Sequence, residues 1–262
     1  FNNGFFNFKR TNFDNEIKKS FFKNINRLFV HNKMISSMKS ATLNIGVSRL
    51  VSSLIRNYVK DSQKVFTLYN GVDKKKFFQL NNSNKVKKKN KFIIGCVGNF
   101  FPKKGQIILL KAISKLSKDL IDIIEVKFVG TGPTKEECVQ YSNKYFKPNV
   151  INYIDSIDHD KLNIYYNSLD LFILPSSYEG LGCVYLEAYA CGVPFIGISG
   201  QGIDEWIPDK IKSEYLCKPN DIDNLSNLLE KHISGNVKIL KLKHRISIND
   251  HISKFINHIS KN

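Results

Sequence analysis

Acidic residues are scarce at one end of this chain. Residues 1–91 carry 20 Lys and Arg against 4 Asp and Glu, while residues 92–262 carry 20 against 19. The net charge of +17 over 262 residues is therefore concentrated in the first third. Long apolar runs are missing as well. None approaches the roughly 18–20 residues that a membrane-spanning helix needs. Cysteine is sparse: Cys96, Cys138, Cys183, Cys191 and Cys217 make an odd count with no short paired spacing. That excludes a disulfide framework and a zinc site of the usual kinds. They read as small buried residues in a reducing compartment. The six histidines are scattered, and none pairs with Cys or Asp at ligand spacing, so no metal is expected.

What is present is enough for a packed core. Apolar residues make up 42% of the sequence, and the length suits one large or two ordinary domains. The first residue is Phe1, not methionine, and we expect an N-terminally incomplete copy of something longer, although processing gives the same start. The basic third favours anionic partners by long-range attraction. An anionic membrane surface is one reading, and a Lys- and Asn-rich composition without a specific partner is the other. Nucleic acid is not expected, because the aromatics fit a core or a helix face as well as a stacking platform.

Residues 1–40 alternate Phe with Asn and Lys and then become helical in pattern. Ile25, Leu28, Phe29, Ile35 and Met38 fall near one face, which suits a membrane surface or an ordinary packed helix. Leu43–Val47 and Lys64–Leu68 read as strands, with Ser48 capping a helix over 49–58 between them. Asn70-Gly71 marks a turn. Lys74-Lys75-Lys76 and a polar tract through Asn90 read as a linker.

From Phe92 strands and helices alternate. Strands are expected at 92–98, 126–129, 150–154, 171–174 and 194–198. Helices are expected at 106–117, 134–145, 160–168, 183–191 and from Asp221 to about 234. Alternation with short links predicts a parallel, doubly wound sheet. Ligands of such sheets bind at the carboxyl ends of the strands, where strand order reverses. The glycine-bearing loops all follow strands and should share that rim. Residues 237–262 hold an amphipathic helix with Ile248, Ile252, Phe255, Ile256 and Ile259.

Four motifs carry chemistry. Glu179 and Glu187 bracket Gly180-Leu181-Gly182 and a helix start. Free amides and partial positive charge at a helix N-terminus bind phosphate without a side chain. Glu187 lies about 6 Å along the axis from that start, where a carboxylate accepts from a cis-diol such as ribose. Sugar, diphosphate and ribose fit such a row; two ordinary glutamates are the alternative. Gly98-Asn99-Phe100-Phe101-Pro102-Lys103-Lys104-Gly105 offers a lysine for a diphosphate, or a solvated lysine pair. Gly130-Thr131-Gly132-Pro133 suits the same rim or a tight turn. Gly200-Gln201-Gly202 lines the rim or forms a plain loop.

In their order these pieces resemble glycosyltransferase family 4, the retaining nucleotide-sugar enzymes of GT-B fold. The marks are Tyr69-Asn70-Gly71-Val72-Asp73, Gly98 with Lys104-Gly105, and Val129 to Pro133. Tyr165-Tyr166 with Asp170 to Ser176, Glu179 to Ala188, Gly192-Val193-Pro194 and Gly200 to Glu205 complete them. The resemblance spans about 42–260. It implies an α/β fold with a Rossmann-like, parallel-sheet C-terminal domain and the end of a second Rossmann-like domain. Residues 1–76 would be the remnant of an acceptor-binding N-terminal domain, 77–91 a linker, 92–236 the nucleotide-sugar-binding domain, and 237–262 a helix crossing back.

The resemblance further implies roles. Glu187 would bind the donor ribose and Glu179 the transferred sugar. The amides of Gly180, Leu181 and Gly182 would face sugar and diphosphate, and Lys104 would bind the diphosphate. Gly98, Gly130 and Asn99 would line the donor site, with Ile157 beside the base. Many members carry arginine where this chain has Asn99, and glycine where it has Asp155. The implied activity is retaining transfer of a hexosyl group from a nucleotide-diphosphate sugar to a glycan or lipid-linked hydroxyl, in envelope polysaccharide or glycolipid assembly. Lys104 and the helix amides, not a metal, would stabilise the leaving group. The expected location is cytoplasmic, peripheral on the inner membrane face. A non-catalytic nucleotide-binding or partner-binding module is the alternative, supported by Asn99.

Overall fold

The structure, a computed structural model, describes residues 21–59, 61–81 and 91–260. The Phe- and Asn-rich opening before residue 21 and the tract at 82–90 lie outside them. The chain divides into two compact units, Phe1–Tyr69 and Asn70–Asn262.

In the first unit, helix α1 spans Phe21–Ser40. Strands β1 (Asn44–Gly46) and β2 (Val65–Thr67) pair in parallel. Helix α2 (Arg49–Arg56) connects them, and Ser48 caps it by accepting from the Val51 amide. Ile55, Val59 and Val65 form a small core on which Met38 and Val51 pack. The C-terminal end of α1 is thus held by apolar contact within this unit.

The second unit is built on six parallel strands. They are β3 (Phe92–Val97), β4 (Ile124–Val129), β5 (Ile151–Ile154), β6 (Leu171–Ile173), β7 (Phe195–Ile198) and β8 (Leu216–Cys217). Their spatial order is β5-β4-β3-β6-β7-β8. The helices are α3 (Gln106–Ile113), α4 (Lys118–Asp122), α5 (Lys135–Tyr145), α6 (Leu162–Asn167), α7 (Cys183–Ala190), α8 (Lys212–Tyr215), α9 (Ile222–Ile233) and α10 (Ile248–Ile259). Helix α3 packs on α5 and α9, and α6 packs on α7. Central strands covered on both faces read as continuous apolar runs. Ile94, Phe128, Leu171, Phe172, Ile173, Phe195 and Ile196 are fully buried accordingly. Each such side chain contributes about 1.5–3 kcal/mol of transfer free energy. The α/β, parallel-sheet expectation holds.

The chain walks outward from β3 through β4 to β5, then returns to the other side of β3 as β6. Strand order therefore reverses between β3 and β6. Ile94 pairs with Leu171 and Gly95 with Phe172 across that reversal. The loops after Val97 and Ile173 open side by side.

Three local differences from the sequence reading have physical causes. The helix expected at 106–117 stops at Ile113, because Ser117 caps a new short helix by accepting from the Leu120 amide. Strand β8 has two residues and offers no readable alternation. The break between units falls after Tyr69, ahead of the expected break at 76. Part of the reason lies in α6. The Asn163 side chain accepts from the Phe78 amide (3.0 Å), and Asn167 accepts from Leu80 (2.8 Å) and donates to the Phe78 carbonyl (3.0 Å). Phe77 is buried against Tyr166. Residues 77–80 are thus fixed within the second unit.

At the other end, Val72 pairs with the segment before α10. Its amide donates to the Ile246 carbonyl (2.7 Å), and Ile248 returns a bond to Val72 (3.1 Å). Helix α10 buries His251 while Ile248, Ile252, Ile256 and Ile259 are exposed. No helix among the described residues is long and apolar enough to cross a membrane.

Candidate donor-binding site

The site grows from the two loops at the strand-order reversal. After β3 the backbone runs through Gly98 and the exposed Asn99 into a 3-10 turn, Pro102–Lys104. Gln106, the first residue of α3, is buried. Its Nε2 donates to the carbonyls of Gly98 (3.0 Å) and Asn99 (3.2 Å) and so fixes the loop's path. Gly105 takes φ +70°, and a Cβ there would lie 2.2 Å from the Pro175 carbonyl oxygen. Only glycine permits both this conformation and this approach.

After β6 the loop runs from Leu174 to Gly182. The Tyr185 hydroxyl donates to the Leu174 carbonyl (2.5 Å), and Gln201 Nε2 donates to the Ser176 carbonyl (2.7 Å). The Ser177 amide donates to the Lys103 carbonyl (2.7 Å), stitching the two loops together. The stitch places Lys104 Nζ 2.5 Å from Glu179 Oε1. Both side chains are largely buried, at 20% and 7% exposed. The loops thus converge on one cation and one carboxylate at the mouth of the reversal.

Gly180, Leu181 and Gly182 follow. Leu181 points into the core at 1% exposure, so its backbone alone faces outward chemistry. Gly202 packs directly on this segment: a Cβ there would lie 1.8 Å from the Gly180 carbonyl oxygen. Gly182 takes φ +78° and starts α7, and no side chain caps the helix. The first turn of α7 carries no acidic residue either. An uncapped N-terminus of this kind keeps its amides and its partial positive charge for an anion.

Glu187 sits one turn further along α7, partly buried. Tyr166 of α6 donates its hydroxyl to Glu187 Oε2 (2.8 Å). Burial holds the Glu187 carboxyl above its ordinary value, while the Tyr166 bond and the nearby His159 pull it back. The remaining expected residues lie along the same rim. Gly130 takes φ +143°, and a Cβ would meet the Gly98 carbonyl oxygen at 2.3 Å, so these two glycines are in contact. Ile157 follows β5, two strands away from β3, and is partly exposed. Asp155, also exposed, pairs with Lys135. Among the described residues no group of three or more His, Cys, Asp and Glu is arranged to hold a metal.

The structure therefore brings Gly98, Asn99, Lys104, Glu179, Gly180, Leu181, Gly182 and Gly130 onto one rim, with Glu187 in the helix that starts there. Sequence reasoning missed Gln106, the bond by which Gln201 holds the Ser176 carbonyl, and the Tyr166–Glu187 bond. A tyrosine in a helical stretch announces a face, not the carboxylate it will meet.

Against this geometry, the profile of the family "Glycosyl transferases group 1" matches residues 78–251. The chain belongs to the group 1 glycosyltransferases. Among curated relatives, Protein CapJ of Staphylococcus aureus is 35% identical over 146 residues, covering 55% of this chain and 36% of that protein. The UDP-Gal:alpha-D-GlcNAc-diphosphoundecaprenol alpha-1,3-galactosyltransferase of Escherichia coli is 28% identical over 187 residues, covering 67% and 46%. This chain thus spans between about a third and half of the length of these two relatives. Among solved structures, Anabaena HepE in complex with UDP-glucose superposes with a TM-score of 0.71 at 18% identity, over 86% of this chain and 65% of HepE. The lipopolysaccharide outer core galactosyltransferase WaaB in its apo form gives 0.65 at 20% identity, over 84% and 62%. The fold of this group 1 glycosyltransferase is of GT-B type.

Proposed function

We propose that this chain is the donor-holding part of a retaining hexosyltransferase that uses a nucleotide-diphosphate sugar. The observation that carries the reading is the Lys104–Glu179 pair at the strand-order reversal, beside the uncapped start of α7. In this reading the diphosphate lies against that helix start and Lys104. The sugar lies at Glu179, the ribose diol at Glu187 and the base near Ile157. A diphosphate entering the site takes over Lys104 as its counter-ion, so the buried cation is paired before and after binding. Glu179 is then released to accept hydrogen bonds from the sugar hydroxyls.

Transfer breaks the bond between the anomeric carbon and the diphosphate oxygen. Negative charge grows on that oxygen, and Lys104 together with the amides of Gly180 to Gly182 is placed to meet it without a metal. Preorganised donors of this kind contribute several kcal/mol because they need no reorganisation. The acceptor is a hydroxyl of a glycan or lipid-linked sugar in envelope polysaccharide or glycolipid assembly. The names of relatives support a hexosyl donor, since they include GDP-mannose-dependent and UDP-Gal transferases. The basic first third suits an anionic membrane surface on the cytoplasmic side. We place acceptor binding mostly outside this chain, which alone would bind donor and transfer little.

Asn99 favours a second reading, a non-catalytic nucleotide-binding module, because it leaves the diphosphate with one fewer cation than an arginine would supply. Donor turnover by the full-length protein separates the two. Screening UDP and GDP hexoses with lipid-linked acceptors should give transfer that Glu179→Ala reduces by at least about a hundredfold. Turnover unchanged by that substitution would contradict the catalytic reading.

A further inference from the structure

A fully buried tyrosine needs a reason to be tyrosine and not phenylalanine, since its hydroxyl loses water and must find a partner. Tyr166 is 0% exposed. Three rings hold it edge-on: Phe77 at 6.0 Å, Phe172 at 5.8 Å and Tyr165 at 5.7 Å between centroids. Its hydroxyl bonds Glu187 Oε2 at 2.8 Å. Among the described residues no other hydrogen bond reaches that carboxylate. One oxygen is therefore clamped by a rigid donor, and Oε1 is left for a ligand.

We propose that Tyr166 is a positioning residue for the donor ribose, fixing the rotation of the Glu187 carboxylate so that Oε1 accepts from the diol. The proposal rests on the reading of Glu187 as the ribose-binding group. The phenol stays protonated, because burial and the adjacent carboxylate push its titration well above the ordinary range. It is thus a fixed donor throughout the working pH range. The groups that face Glu187 are few. Tyr166 comes from α6, and His159 from the 3-10 turn before it. Cys183 opens α7 and Cys191 caps its end, with thiols raised by burial and so uncharged near neutrality.

Phe77 links this clamp to the chain's path. Its ring meets Tyr166 and, at 5.7 Å, His159. The segment hooked to α6 by Asn163 and Asn167 therefore also braces the tyrosine. Tyr166→Phe keeps the ring and its packing and removes the bond alone.

The test is calorimetric titration of the whole chain with UDP and with GDP between about pH 5.5 and 8.5. Wild type, Tyr166→Phe and Glu187→Gln are compared. The terminal phosphate of the nucleotide titrates in the same window with all three proteins, so each profile is read against Glu187→Gln, which lacks the carboxylate. Losing the phenol donor raises the carboxyl further, so affinity in Tyr166→Phe should fall away at higher pH than in wild type. The expected loss is about tenfold in Kd, growing toward the acid end of the range. With the 2′,3′-dideoxy nucleotides, wild type and Tyr166→Phe should bind equally.

A Tyr166→Phe loss that is the same for ribose and dideoxy ligands, or no loss at any pH, overturns the proposal and leaves the donor-site reading standing. Binding that Glu187→Gln does not alter, or no binding of either nucleotide, overturns the donor-site reading and the proposal with it.

Discussion

Lys104 and Glu179 lie 75 positions apart in the chain and meet at 2.5 Å between Nζ and Oε1. They stand on loops that leave neighbouring strands at the reversal of strand order. The Glu179 side chain is 7% exposed, so either partner alone leaves a poorly hydrated charge. Breaking such a pair costs more than replacing both members with apolar groups. Lys104→Met should therefore lower stability by about 2 kcal/mol, and the double variant Lys104→Met/Glu179→Leu should recover most of it. Urea unfolding of wild type, Lys104→Met, Glu179→Leu and the double variant measures the coupling. Nucleotide-diphosphate affinity should be lost in both the single and the double variant.

Gly202 and Gly200 separate steric fit from backbone freedom. A Cβ on Gly202 has no room, meeting the Gly180 carbonyl oxygen at 1.8 Å, whereas Gly200 has nothing within 4 Å but takes φ +75°. Gly202→Ala should displace Gly180 to Gly182 and weaken UDP or GDP binding by at least about tenfold. Gly200→Ala should cost only about 1 kcal/mol of stability, with affinity retained. Paired thermal unfolding and nucleotide titration distinguish the two effects.

This pair also shows what the sequence makes legible. The Lys104–Glu179 convergence follows from β-α alternation, because both loops follow strands and such loops share a rim. The helix start at Cys183 follows from Gly180-Leu181-Gly182 ahead of an apolar periodicity. The Tyr166 clamp does not follow, since neighbouring tyrosines 165 and 166 look alike until tertiary packing turns one of them to Glu187. The boundary after Tyr69 is hidden for a similar reason. Lys74-Lys75-Lys76 announces solvent, but Asn163 and Asn167, more than eighty residues later, hook Phe78 and Leu80.

That hook gives the next prediction. Asn167→Ala removes the bonds to the Leu80 amide and the Phe78 carbonyl. Losing these partners should cost about 1–3 kcal/mol and expose the segment around Phe77 to proteolysis. Limited digestion should cut near residues 77–81 several-fold faster than in wild type. Unchanged cleavage would mean that the ring contacts of Phe77 suffice.

The thiols should react in a defined order. Cys138, Cys191 and Cys217 are buried, with pKa values pushed up to about 12 by desolvation, and Cys96 is raised beyond that range by the same cause. The Cys183 thiol is raised too, but the residue is only partly buried and sits at the first position of α7. An alkylating reagent near pH 8 should label Cys183 first, slowly, and nucleotide should slow it further. The other four should react only on unfolding. Mass mapping of early adducts checks this.

Two histidines should make the second unit sensitive to acid. His232 and His251 are buried, and desolvation lowers both below the ordinary imidazole value. Below the unfolded value of about 6.5 the unfolded chain binds protons that the folded chain resists. Their contribution is therefore complete above about pH 6.5 and lost as pH falls through the lower folded values. His232 Nε2 meets the Glu214 carbonyl at 2.8 Å, so the neutral ring donates there. His232→Gln should flatten the stability profile below about pH 6.5 while lowering stability at pH 8 by about 1 kcal/mol.

The most direct measurement of the central claim is a donor titration of the chain. Calorimetry with UDP- and GDP-hexoses should show one saturable site for at least one of them. Glu187→Ala should weaken that site by at least about tenfold, as should Lys104→Ala. Binding that both variants leave intact, or the absence of binding by every donor, would contradict the assignment of this rim as the donor site.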